Sequence, residues 1–227
     1  MHYKLTLSLF FSLGVCYISK AQIVNKGVLK IAASTTVYFQ EAYTNATTGT
    51  HVSDGELYLN NSFINHGLTS ANAGTTYFKS ATNNLLVLSG DSKNVHFYNL
   101  EINLTSANKK GLFVADNFEL QVANALLLKS GDLRLMGESQ LVQSHLGVDD
   151  NTVVSGKLLR DQQGNVSPYQ FNYWSSPVNN GGVFSLMGGK FDGTDSAVKP
   201  FNPTQILFNS GAPHNGLPSV TDVNGHV

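Results

Sequence analysis

Between Val95 and Leu135 apolar and polar residues alternate in short runs separated by small polar turns. In an extended chain Leu100, Ile102 and Leu104 fall on one side, and Glu101 and Asn103 on the other. Phe118, Leu120 and Val122 repeat the arrangement against Glu119 and Gln121. This period of two predicts half-buried strands, and no apolar spacing of three and four is sustained over the ~11 residues that a helix would need. Burying each inward Leu or Ile would stabilise the fold by roughly 1.5–3 kcal/mol, but a single layer of such strands has nothing to bury them against. Stacking is therefore required. Asn99, Asn103, Asn108, Asn117 and Asn124 mark the turns, where Asn tolerates a left-handed backbone or stacks in ladders.

The pattern recurs outside this stretch. Gly27-Val28-Leu29-Lys30-Ile31, Gly55-Glu56-Leu57-Tyr58-Leu59 and Gly131-Asp132-Leu133-Arg134-Leu135 each place a glycine before alternating inward residues, and Gly156-Lys157-Leu158-Leu159 is a weaker copy. Their glycines are 28, 76 and 25 residues apart, and the middle gap is close to three intervals of about 25. Ser89-Gly90-Asp91 and Ser130-Gly131-Asp132 form a second echo. The repeat predicts an all-β chain built as a right-handed parallel β-helix, or β-solenoid, over residues 22–160; an antiparallel sandwich remains open, since it too has short strands and polar turns. From Asp161 the texture changes to polar turns, glycine pairs and prolines. Residues 161–227 are expected to begin a second β-rich, sandwich-like module. The turn-like ending Asn224-Gly225-His226-Val227 suggests the front part of a longer protein, or a disordered C-terminus.

Composition narrows the function classes. Charged residues are 13% of the chain, about half of the ~25% usual for soluble domains, and glycine (21 residues) and asparagine carry much of the polarity instead. With a net charge of −1 and only Lys109-Lys110 as a basic pair, no nucleic-acid footprint is present. At the N-terminus His2 and Lys4 precede a mostly apolar run from Leu5 to Ile18, and Ser19-Lys20-Ala21 supplies small residues at the −3 and −1 positions of a cleavage site. The run is shorter than the ~20 residues of a membrane-spanning helix. Residues 1–21 are expected to be a secretory signal peptide cleaved after Ala21, and the chain is not expected to be an integral membrane protein. The single cysteine, Cys16, lies inside this segment. Leu13-Gly14-Val15-Cys16 is similar to a lipoprotein lipobox, but Val15 fits the cleavage position poorly, so an inert signal-peptide cysteine is the favoured reading.

Phe97-Tyr98-Asn99-Leu100-Glu101-Ile102-Asn103, followed by Leu126-Leu127-Leu128 and Ser130-Gly131-Asp132-Leu133, resembles the "FYNLxIN" repeat of Bacteroidota secreted surface proteins exported by the type IX route. Phe171-Asn172-Tyr173-Trp174-Ser175-Ser176-Pro177-Val178 is similar to the "YNYWSSPV" signature that opens a following β-rich module in those proteins. The resemblance covers most of residues 20–180. It implies a cell-surface or extracellular adhesin-like protein, and no catalytic residues to carry over. It also implies a C-terminal sorting domain, which this sequence does not contain.

No catalytic, cofactor-binding or metal-binding set emerges, and no cofactor is expected. Glycoside hydrolysis needs two carboxylates ~5–10 Å apart, whereas Glu56, Glu101, Glu119 and Asp132, with Arg134 near Asp132, are dispersed along the repeat as solubilising residues are. Asp149-Asp150-Asn151 and Asp192-Gly193-Thr194-Asp195 carry hard oxygen ligands suited to Ca²⁺ but match no complete loop motif, as Asx turns would not. The seven His residues lack zinc spacing. Phe171, Tyr173 and Trp174 suit a sugar-stacking platform or, equally in character, core anchors. Asp195-Ser196-Ala197 resembles the short site at which Bacteroidota O-glycosylate exported proteins. The sequence thus predicts a secreted or surface-exposed structural, adhesin-like protein without enzymatic activity. Its expected partners are extracellular polysaccharide or other cell-surface components. A carbohydrate-binding protein or polysaccharide-active enzyme on the same scaffold is the alternative.

Overall fold

Short alternating segments and sharp corners wind the chain into stacked three-sided turns. The structure, a computed structural model, describes residues 22–82, 84–92, 94–104, 111–147 and 151–162, and the backbone of three short strands beyond them. The first rung is β1 (Ile23–Asn25), β2 (Val28–Ile31) and β3 (Thr36–Phe39); the second is β4 (Tyr43–Asn45), β5 (Thr50–Ser53) and β6 (Glu56–Leu59). The third is β7 (Phe63–Asn65), β8 (Leu68–Ser70) and β9 (Thr75–Phe78), and the fourth β10 (Leu86–Ser89), β11 (Asn94–Phe97) and β12 (Asn99–Asn103). β13 (Leu112–Val114), β14 (Glu119–Val122) and β15 (Leu126–Ser130) make the fifth, and β16 (Leu133–Leu135), β17 (Gln140–Gln143) and β18 (Thr152–Val153) the sixth. β19 (Leu158–Arg160) opens a seventh.

Every third strand pairs in parallel. One face is the seven-stranded sheet β1-β4-β7-β10-β13-β16-β19, and another the six-stranded sheet β3-β6-β9-β12-β15-β18. The third face comes in two pieces, β2-β5-β8 and β11-β14-β17. Between them the His96 amide donates to the Thr69 hydroxyl (2.9 Å), so a side chain replaces a ladder bond at the seam. The all-parallel ladder decides for the β-solenoid over the antiparallel sandwich. Antiparallel pairing among the described residues occurs only where β20 (Phe191–Asp192), β21 (Thr204–Phe208) and β22 (Val220–Asp222) form a three-stranded sheet.

The core is the column enclosed by the three faces. It takes the residues that alternation assigned inward: Leu100, Ile102, Leu104, Phe118, Leu120 and Val122 are all buried. Asparagine corners act in both expected ways. Asn117 is left-handed (φ 57°), and the Asn124 amide donates to Asn99 Oδ1 one rung below (2.8 Å).

The repeat differs from its predicted phase. Ile23, Tyr43 and Phe63 stand in register. The corner asparagines that follow them, Asn25, Asn45 and Asn65, hydrogen-bond across sequence steps of 20. Later steps are longer and unequal, as the register of Phe63 with Leu88, Leu86 with Leu112, Leu112 with Leu133 and Leu133 with Leu158 shows. Of the four glycine starts, only Gly131 and Gly156 are rung equivalents; Gly27 precedes β2 and Gly55 precedes β6, which lie on different faces. The Ser-Gly-Asp echo likewise joins two different corners, after β10 and after β15. A three-cornered rung needs a tight turn at each corner, so glycine recurs more often than the rung itself.

Candidate functional site

The outer surface of the β3-β6-β9-β12-β15-β18 sheet carries a column of aromatic side chains in register. Tyr38, Tyr58 and Tyr77 occupy one column, because β3, β6 and β9 align them directly. Their rings stack with centroids 4.5 and 4.3 Å apart and planes inclined by 17° and 6°. The spacing is close to the ~4.8 Å between parallel strands, so the backbone itself sets the stack. Packing between its neighbours pushes the Tyr58 phenol up to about 12, first through burial and then through Tyr77 and Glu56. It therefore stays a neutral hydrogen-bonding group. The column was readable in the nearly even spacing of Tyr38, Tyr58 and Tyr77, which is hidden when every glycine start is taken for the same corner.

On β12 the column continues as Glu101. Alternation points Glu101 outward, yet it is only 5% exposed, a correction to its expected solubilising role. Lys129, on β15, reaches back over it to make an ion pair of 2.7 Å, and Asn103 donates to it from the same strand (3.2 Å). The carboxylate in turn raises the Lys129 pKa through its hydrogen bond and charge. Glu101 is thus a neutralised rung-to-rung contact.

The other acids are separated and individually engaged. Glu56, on β6, accepts from the Thr36 hydroxyl (3.3 Å). Glu119, on a different face, accepts from Gln121 two residues along the same strand. Asp132 lies at a corner, where its carboxylate accepts from the Lys157 amide (2.9 Å); burial raises its pKa against the opposing effect of that bond. Arg134 is buried on β16, lies 5.1 Å over the Phe113 ring and makes a two-pronged pair with Asp161 (2.8 and 2.7 Å). Glu56 and Glu101 thus share a face two rungs apart, Glu119 lies on another face and Asp132 at a corner, and each is held by its own neighbours.

Asn151 is a structural corner: its Oδ1 accepts from the Leu126 amide (2.8 Å), and its amide exchanges hydrogen bonds with Gln143. Asp149, Asp150, Phe171, Tyr173, Trp174 and the Asp195-Ser196-Ala197 site lie outside the described residues, as do Cys16, Ala21 and Lys109-Lys110. The side chain of Asp192 is likewise outside them. Among the described residues no three His, Cys, Asp or Glu side chains converge as metal ligands, and no helix is long and apolar enough to cross a membrane.

A second feature that the sequence reading did not single out lies inside. Tyr43 and His51 share a hydrogen bond of 3.0 Å between the hydroxyl and Nδ1, within an aromatic cluster that includes Phe39 and Phe63. His51 is fully buried, its Nε2 has no partner among the described residues, and burial lowers its pKa to about 4. The imidazole is held neutral as a core side chain. Beside it runs a ladder of asparagines at the corner after the first face: Asn25 donates to Asn45 (2.9 Å), Asn45 to Asn65 (2.8 Å), and Asn65 to Ser92 (2.7 Å). Set against known proteins, the chain matches no family model, no curated sequence and no solved structure.

Proposed function

We propose that this is a secreted or surface-exposed structural, adhesin-like protein of the Bacteroidota type IX kind, without enzymatic activity of its own, whose solenoid acts as a rigid spacer. The observation that carries this reading is where the reactive side chains go. Glu101 is spent on Lys129, Arg134 on Asp161, and the buried amides on one another, all between rungs. Side chains that lock one turn to the next stiffen a rod, whereas a catalytic site gathers them at one point. Six turns at ~4.8 Å give a rod about 30 Å long. The tyrosine column supports the alternative of carbohydrate binding only weakly, because sugar rings stack on aromatic faces and these faces cover one another.

The test is limited proteolysis of intact cells followed by mass spectrometry, with the mature N-terminus sequenced. Peptides from residues 22–160 should be released from the cell surface or found in the medium, with Gln22 or its pyroglutamate first. Recovery only from the cytoplasm would sink the proposal, and a lipid on Cys16 would replace free secretion by anchoring. Depolymerisation of a polysaccharide panel by the purified protein would favour the enzyme reading instead.

A further inference from the structure

The first rung ends open in three respects at once. Strands β1, β2 and β3 each pair on one edge, with β4, β5 and β6, and their other edges have no strand among the described residues. Inward Ile23, Leu29, Val37 and Phe39 are only partly buried, while the residues in register with them on the second rung, Tyr43, His51, Leu57 and Leu59, are at most 1% exposed. The tyrosine stack also stops here, leaving one face of Tyr38 uncovered (71% exposed), and Val28 on the neighbouring face of the same rung is 77% exposed. Unpaired strand edges around an apolar cross-section attract further strands. A single extended peptide satisfies one edge of the three. Closing all three requires another rung.

We propose that this end docks head-to-head on the same end of a second copy of the chain. A twofold axis perpendicular to the rod must keep one face of the triangular rung and exchange the other two. Charge chooses among the three possibilities. Lys26 sits at the corner between β1 and β2, and Glu41 at the corner after β3. Keeping β3 on itself would set Lys26 against Lys26, and keeping β2 would set Glu41 against Glu41. Keeping β1 sets Lys26 of each copy against Glu41 of the other and lays β2 antiparallel on β3. In that register Val28 covers Tyr38 of the second copy while Leu29 meets Val37, so outward residues meet outward ones and inward residues inward ones. Lys30 then lies beside Thr36, without a like charge opposite.

Sedimentation of the purified full chain over a wide concentration range tests this. A dimer is expected, weakened about tenfold or more by Tyr38→Lys and separately by Val28→Lys, both at exposed positions the monomer tolerates. Lys26→Glu alone should weaken it, and adding Glu41→Lys should restore it. Leu146→Lys, at an exposed position near the other end, should leave it unchanged. A folded monomer at all concentrations overturns the proposal. So does slow hydrogen exchange of the β1–β3 amides in that monomer, which would mean that residues 1–21 or another part of the chain covers the end. A dimer indifferent to Tyr38→Lys, Val28→Lys and the charge exchange overturns it equally.

Discussion

The first three rungs and the later ones solve the same packing problem with different materials. In the early rungs the steps are short, equal at 20 residues on the first face, and the interior mixes aromatic rings with polar groups: Tyr43, His51, Ser53, Phe63 and the asparagine ladder. From the fourth rung onward the steps are longer and uneven, and the interior is mostly aliphatic: Leu100, Ile102, Leu112, Val114, Leu120, Val122, Leu126 and Leu128. The change coincides with the seam between β8 and β11. Short corners leave little room for extra turns to satisfy the backbone, so asparagine side chains do it instead: Asn45 alone donates to Asn65 and to the Leu68 carbonyl (3.0 Å). The late rungs keep asparagine corners too, Asn99 accepting from the Ala125 amide (3.2 Å) and Asn151 from the Leu126 amide (2.8 Å), but around an aliphatic interior.

The junction is where the contrast breaks most readily. Gly90 stands at the end of β10 with φ 133°, and a Cβ there would strike the backbone of Asn65 in the rung below. Gly90→Ala should cost about 3 kcal/mol or more, since neither the left-handed strain nor the backbone contact can relax independently. Chemical denaturation would show it as a drop in midpoint, and loss of a single cooperative transition would mean that the two halves unfold separately. A change below about 1 kcal/mol would show that the seam is looser than the register implies.

Within the early rungs, Asn45→Leu removes the middle of the ladder and strands the polar groups of Asn25, Asn65 and Leu68. Two or three buried unsatisfied groups should lower stability by about 3 kcal/mol. Its late-rung counterpart is Leu120→Ala, expected to cost about 2–5 kcal/mol by cavity formation alone. The comparison sharpens if a second change, Asn65→Leu, recovers part of the Asn45→Leu loss, because paired apolar replacement leaves fewer orphans. No recovery would mean that shape, and not satisfaction, fixes the corner.

His51 gives the early rungs a pH dependence. Its folded pKa of about 4 lies below the ordinary 6.5, so between those values the unfolded chain binds more protons and stability rises with pH. The stabilisation is fully present above pH ~6.5 and is lost as the pH falls toward 4, by about 3 kcal/mol over the window. Denaturant titrations at stepped pH should show this slope, and the double replacement Tyr43→Phe with His51→Leu should flatten it while staying near neutral in stability at pH 7. A slope unchanged in the double variant would assign the effect to other groups.

Which parts of this were legible in the sequence follows from what alternation encodes. It reports side, and every residue of the Val95–Leu135 stretch that it assigned inward is in the core. It does not report phase, because glycine can stand at any of a rung's three corners, and Gly27, Gly55 and Gly131 look alike while occupying different ones. Nor does it report what a neighbouring rung brings. Glu101 looked solvent-facing because Lys129, the residue that covers it, comes from the next rung, and Arg134 looked dispersed because its partner Asp161 lies one rung on. Tyr38, Tyr58 and Tyr77 become visible as a repeat once the early rungs are known to be shorter.

The smallest expected effect concerns the two ends of one column, the tyrosine stack and the Glu101–Lys129 pair that terminates it. Lys129 is 47% exposed along its side chain, so solvent screens much of the attraction despite the burial of its partner. A double-mutant cycle with Glu101→Gln and Lys129→Met should give a coupling of about 1 kcal/mol, shrinking as salt is added. The Lys129 pKa is raised in the fold, so this stabilisation is whole below the ordinary lysine value and disappears as pH rises through the raised one. Tyr58→Ala, which breaks the stack at its middle ring, should cost a similar ~1 kcal/mol but with no salt dependence, because ring contacts carry no net charge. If both lose their effect together in salt, the column is held electrostatically along its whole length, and the distinction between an aromatic early half and a charged late half fails on the outer surface even while it holds in the core.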